Sequence, residues 1–120
     1  MMTKILIVDD APFIRNQLKL ILKPLNFNII EASDGKEAIS VYKKHKPDIV
    51  TMDISMPVMD GIKALSEIIK YDPNAKIIMV TALGHKMRVL EAIEKGASYY
   101  IVKPFDKEKV IESILKVLNK

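Results

Sequence analysis

Five short apolar runs, each followed by a stretch with helical spacing, constrain this chain more than any other feature. The runs are KILIV (residues 4–8), FNIIEA (27–32), DIVTM (48–52), KIIMV (76–80) and YYIV (99–102). Short apolar, β-branched runs bounded by turn residues read as strands, and apolar steps of three and four read as helices. Ile14, Leu18, Ile21, Leu22 and Leu25 share one helical face after the first run, and Val110, Ile114, Val117 and Leu118 do so after the last. Shorter stripes run through Ala38, Val41 and Tyr42, through Ile62, Leu65 and Ile69, and through Val89, Leu90 and Ile93. The segments SDGKEA, DG at 60–61 and YDPNA, with Gly96, punctuate the boundaries. Strand–helix alternation calls for a parallel sheet covered on both faces, because each crossover carries its helix to one side. Nothing in the chain reads as a linker or a repeat, so residues 1–120 are expected to form a single α/β domain.

Composition removes several classes of function. No apolar run approaches the roughly 18 residues of a membrane span, and MMTKILIVDD reaches acidic charge after four apolar residues, unlike a secretory signal. With no cysteine there is no disulfide framework and no thiolate chemistry, which fits a cytoplasmic protein. The formal charge is +4, but the lysines are scattered, only two arginines are present, and no basic run has interleaved aromatics. That pattern reads as a solvated Lys-rich surface rather than a nucleic-acid interface.

In open parallel sheets, ligands bind beyond the carboxyl ends of the strands. Asp9 and Asp10 follow the first run, Asp53 the third, Thr81 the fourth, and Lys103-Pro104 the fifth. Each residue alone has an ordinary explanation, an aspartate or threonine as a helix cap and a lysine as a surface charge. Together they do not, since two like charges ~4 Å apart repel by ~4 kcal/mol at an effective dielectric near 20. Three carboxylates against one ammonium leave a deficit that a hard divalent cation removes, and Mg2+ binds through one or two carboxylates plus phosphate oxygens. A metal beside a third carboxylate suggests phosphoryl transfer to Asp53 as nucleophile. Lys103 and Thr81 would hold phosphoryl oxygens, and the small Ala82 would leave room for them. No glycine-rich phosphate loop marks a nucleotide as donor.

These motifs resemble one family. LIVDDA (6–11), DISMPVMDG (53–61), VTA (80–82) and YIVKPF (100–105) match, in order and spacing, the receiver domain of two-component response regulators, especially its single-domain chemotaxis (CheY-like) branch. The resemblance implies a flavodoxin-like (βα)5 fold with strand order 2-1-3-4-5. It implies a phosphoacceptor at Asp53 and Mg2+, replaceable by Mn2+, held by Asp9, Asp10, Asp53 and the Ser55 carbonyl. It further implies a cis Lys103–Pro104 peptide and an aromatic switch at Tyr100, which swings inward when Thr81 moves toward the phosphoryl group. Ser55 and Leu83 fall where the family tunes dephosphorylation, and an apolar Leu83 is expected to screen water and slow it. The donor implied is a histidine kinase (CheA-like). The output surface is the fourth helix, fifth strand and fifth helix, facing a motor switch or other target, with a phosphatase as a further partner. The protein is expected to act as a monomer and to be no enzyme beyond assisting its own phosphorylation and dephosphorylation.

Other readings stand behind this one. A haloacid-dehalogenase-type phosphatase needs an aspartate two residues after its nucleophile, where this chain has Ser55. A docking-only pseudo-receiver would not need Asp53, Lys103 and both acids. A single-domain phosphorelay intermediate, or a receiver cut from a longer regulator, shares every motif; the chain's end soon after the last apolar turn favours a diffusible protein. His45 and His85 are expected at the surface without a metal role, and Met52, Met56, Met59 and Met79 in packing.

Overall fold

The computed structural model describes residues 2–120. Strands and helices alternate without exception: β1 (Lys4–Val8), α1 (Pro12–Leu22), a 3-10 turn (Lys23–Leu25), β2 (Asn28–Ala32), α2 (Gly35–His45), β3 (Ile49–Asp53), α3 (Gly61–Tyr71), β4 (Ile77–Ala82), α4 (Lys86–Glu94), β5 (Tyr99–Lys103) and α5 (Lys107–Leu118). The five strands pair in parallel in the order β2-β1-β3-β4-β5, the flavodoxin-like arrangement. β1 therefore has β2 on one side and β3 on the other, and the chain reverses its direction of travel across the sheet between them.

Alternation along the strands sorts side chains into two cores. Ile5 and Ile7 of β1 pack with Ile49, Ile78 and Ile101 against Leu18 and Leu22 of α1 and Val110, Ile114 and Val117 of α5. Leu6 and Val8 face the other way, with Val50, Met52 and Met79, onto Tyr42 of α2, Leu65 and Ile68 of α3 and Ala92 of α4. Three helices start on aspartate caps: Asp34, Asp60 and Asp106 accept from the amides of Glu37, Lys63 and Lys109 at 2.7–2.9 Å. Among the described residues, no helix is long and apolar enough to cross a membrane.

The strands differ from the apolar runs at their ends. β3, β4 and β5 extend through Asp53, Ala82 and Lys103, so Asp53 and Thr81 are strand residues and not the first residues beyond them. Backbone pairing asks nothing of the side chain, and Asp53 pairs with Val80 while Thr81 pairs with Val102. In α3 Ile62 and Leu65 are buried as the stripe implies, but the next buried position is Ile68, with Ile69 only packed against the core. In α4 Val89 and Ala92 are buried, whereas Leu90 and Ile93 lie exposed.

Two residues near the carboxyl end of β3 show opposite packing constraints. A Cβ on Gly61 would collide with the Asp53 carbonyl and approach the Ile54 Cα to 3.0 Å, while the Gly61 amide donates to the Ile54 carbonyl at 2.7 Å. Thr51 carries a buried hydroxyl with no hydrogen-bond partner among the described residues. Gly61→Ala is expected to lower stability by about 2 kcal/mol or more through overpacking. Thr51→Val is expected to raise it by about 1 kcal/mol by removing an unsatisfied polar group. Urea unfolding of the two variants measures both.

Candidate functional site

The reversal between β1 and β3 brings their carboxyl ends side by side, with Asp9 next to Asp53. Both carboxylates lie at odd positions of the alternation that buries Ile5, Ile7 and Ile49, on the α1/α5 side of the sheet. Asp9 is fixed from three directions, twice through its backbone and once through its carboxylate. Its amide donates to the Ala32 carbonyl at 3.2 Å, its carbonyl accepts from Arg15 Nη1 at 2.6 Å, and its Oδ1 accepts from the Ala11 amide at 2.9 Å. Arg15 is itself held by Glu31, to which its Nε donates at 3.0 Å. Burial pushes the Glu31 carboxyl up, but hydrogen bonds from Lys19 and Arg15 outweigh it and leave the group below its usual range.

Lys103 reaches across from the end of β5. Its ammonium lies 3.2 Å from Asp9 Oδ2 and 3.3 Å from Asp53 Oδ1. Burial pulls the ammonium's pKa down, but the charges of Asp53 and Asp9 raise it further, so Lys103 stays protonated. Asp53, only 5% exposed, is pushed up to about 6, first by burial and then by the charge of Asp9, against the opposing pull of Lys103. Asp9 is 2% exposed, whereas Asp10 is open to solvent.

One oxygen each from Asp9, Asp10 and Asp53 lie within 4.8 Å of one another. Three carboxylates and one ammonium carry an excess of negative charge, and the donors are all hard oxygens. That set suits Mg2+, which takes one or two carboxylates and keeps room for water and phosphate oxygens. The loop after Asp53 closes where the Gly61 amide takes the Ile54 carbonyl, with Ser55 exposed inside it.

The remaining residues singled out from the sequence divide by face. Lys103 shares the Asp53 face, while Thr81 and Tyr100 fall on the α4 face. Thr81 is buried and Tyr100 is 42% exposed, its ring 5.8 Å from that of Tyr99. Ala82 is exposed, and Leu83 is 82% exposed on the loop to α4. The Lys103–Pro104 peptide is cis. Two contacts had no signal in the apolar pattern. Arg15 braces the Asp9 carbonyl, and His85, expected at the surface without a metal role, is half-buried with Nδ1 3.4 Å from Thr81 Oγ1. Arg15's scarcity as one of two arginines was the one available hint.

Residues 5–115 match the family model of the response regulator receiver domain. The chain belongs to that family. The chemotaxis protein CheY of Thermotoga maritima is 52% identical to this receiver over 115 residues, 95% of this chain and 96% of that protein. Protein CcdB of Bacillus subtilis is 52% identical over 119 residues, covering 98% of this chain and 99% of its own. A crystal structure of the CheX–CheY–BeF3–Mg2+ complex from Borrelia burgdorferi aligns with a TM-score of 0.93 at 47% identity, covering 98% of this receiver and 90% of that chain. This receiver is thus CheY-like, a phosphoacceptor signalling protein rather than a conventional enzyme.

The raised Asp53 carboxyl sets a pH dependence for the receiver's stability. Because its folded value of about 6 exceeds the ordinary 3.8, Asp53 favours the folded state in its protonated form, an advantage lost as pH rises between them. Asp53→Asn, which keeps the shape and removes the charge, is expected to stabilise the metal-free receiver at neutral pH by about 1–3 kcal/mol. The gain should shrink toward zero below about pH 4. Urea unfolding across that range, in the presence of a chelator, measures it.

Proposed function

We propose that residues 1–120 work as a single receiver domain that takes a phosphoryl group onto Asp53 from a chemotaxis-type (CheA-like) histidine kinase. Output runs through the α4–β5–α5 face to a motor switch or other target. The observation that carries this reading is the Lys103 ammonium, shared at 3.2 and 3.3 Å between Asp9 and Asp53 beside the three-carboxylate cluster. A lysine held there can move from Asp53 to a phosphoryl oxygen while keeping Asp9.

In the forward step an Asp53 oxygen forms the new O–P bond, and the P–N bond of the donor phosphohistidine breaks, its electron pair returning to the imidazole. Asp9, Asp10, Asp53 and the Ser55 carbonyl are the groups that would hold Mg2+. When bound, the ion supplies charge neutralisation between the carboxylates and the phosphoryl oxygens. Lys103 and the Thr81 hydroxyl hold two of those oxygens, and Ala82 leaves space for them. In the return step water attacks phosphorus, the Asp53–phosphorus bond breaks, and Asp53 is regenerated with release of phosphate.

Phosphorylation biases output only as far as it stabilises one of two pre-existing states. In this reading Thr81 turns toward the phosphoryl group and Tyr100 moves inward, reshaping the α4 surface. Exposed Leu83, Met87, Leu90, Ile93 and Tyr100 support that surface as the partner face. The Borrelia CheY is complexed with CheX, which supports a CheX-type regulator among the partners. The equal identity to CcdB, a protein not named for chemotaxis, favours one second reading, a single-domain phosphorelay intermediate of another pathway.

Acetyl phosphate with Mg2+ is expected to add one phosphoryl group by intact mass. The adduct should be absent in Asp53→Ala and in the presence of a chelator. No adduct on folded protein would leave a docking module. Leu83→Asn is expected to speed decay of the adduct, because a polar side chain at the pocket mouth admits water that leucine excludes. Deletion in the source organism separates the pathways: altered swimming behaviour supports the motor reading, and unaltered swimming supports the second.

A further inference from the structure

Thr81 is 2% exposed, and its hydroxyl meets the Ala82 carbonyl at 3.5 Å and Nδ1 of His85 at 3.4 Å. His85 occupies the N-cap position of α4 but makes no side-chain cap to that helix. Its ring turns back toward β4 instead. Between the two residues, Leu83 and Gly84 are exposed, and Gly84 has φ +93 with open space around the position of a Cβ. Thr81, His85 and Tyr100 line one groove of about 320 Å³, with Val89, Leu90 and Val102 as its apolar walls. The loop joining Thr81 to His85 thus has room to move, and the ring is the side-chain partner of the hydroxyl.

We propose that His85 is a positioning residue for Thr81: its imidazole holds the hydroxyl toward α4 in the unphosphorylated receiver. The inference deepens the proposed function, resting on Thr81 as the residue that turns to the phosphoryl group. A threonine hydroxyl has a single proton. In the Nε2–H tautomer Nδ1 accepts that proton in place of the Ala82 carbonyl, and the hydroxyl then cannot also donate to a phosphoryl oxygen on Asp53. Phosphorylation therefore breaks the Thr81–His85 contact, and the first residue N-terminal to α4 loses its tie to β4 in the same event. His85 sets how far the resting equilibrium lies from the active state and links the movement of Thr81 directly to the start of α4.

The test uses the full chain labelled with 15N and 13C, observed by NMR at the His85 ring nitrogens and the Thr81 methyl, before and after acetyl phosphate with Mg2+. The Nδ1 resonance of wild type is expected to shift on phosphorylation, and to shift similarly in unphosphorylated Thr81→Val. In His85→Leu, the Thr81 methyl should move toward its phosphorylated position before any phosphate is added. Phosphorylation by acetyl phosphate should become about two- to tenfold faster, the range of one ordinary hydrogen bond. His85→Asn, whose Oδ1 stands where Nδ1 does and can accept the same proton, should restore both. Insensitivity of Nδ1 to phosphorylation and to Thr81→Val overturns the proposal, and this wild-type observation decides even where His85→Leu does not fold. So does a folded His85→Leu that matches wild type. Absence of any wild-type mass increase removes the Asp53 reading itself, and a Thr81 methyl that stays put on phosphorylation removes the Thr81 reading. The His85 proposal falls alone when the mass increase and the Thr81 methyl movement are both seen and the His85 evidence is negative.

Discussion

The ammonium of Lys103, shared between Asp9 and Asp53, is the contact on which the site depends. Two buried carboxylates at neighbouring strand ends repel each other, and burial makes the repulsion harder for water to screen. One lysine removes part of that cost and leaves the rest. The residual strain is visible at Asp53, whose carboxyl is pushed up to about 6. A site already short of positive charge is one that a divalent cation and a transferred phosphoryl group can enter together. The surrounding structure holds this unfavourable arrangement in place. Arg15 clamps the Asp9 carbonyl, and Gly61 lets the start of α3 pack against the Asp53 backbone.

The parallel sheet divides the work between its faces. Side-chain alternation puts Asp53 and Lys103 on the α1/α5 side and Thr81 and Tyr100 on the α4 side. The carboxylate cluster and the α4 surface are therefore separated by one layer of backbone, and a residue at the end of β4 can bridge them. Thr81, buried and in contact with His85 at the start of α4, occupies that position. The exposed apolar residues of α4 belong to the same side. Their helical stripe is wider than the sheet can cover, so Val89 and Ala92 are buried and Leu90 and Ile93 stay exposed.

Much of the fold was legible along the chain. Alternating apolar runs and helical stripes implied a parallel α/β sheet, and all five pairs of elements are present. The strand order came from the motifs' resemblance to receivers, because periodicity does not say which strands are neighbours. Strand ends were misjudged at Asp53, Thr81 and Lys103 because polar side chains ended the apolar runs. Their backbones continue the pairing regardless. Ile68 and Ile69 exchanged weight for a similar reason: either fits a helical stripe, and only packing against β3 and β4 selects one.

By itself the sequence determined which residue types stand at the carboxyl ends of which strands, since period and turn chemistry are local properties of the chain. That was enough to single out Asp9, Asp10, Asp53, Thr81 and Lys103, of which Asp9, Asp10, Asp53 and Lys103 come together in the fold. Tertiary structure decided what each of them touches. The split of Lys103 between two carboxylates, the brace from Arg15 and Glu31, and the turn of His85 toward Thr81 all depend on strand register and side-chain rotamers. These are set by packing between segments far apart in the chain, where no local pattern reaches.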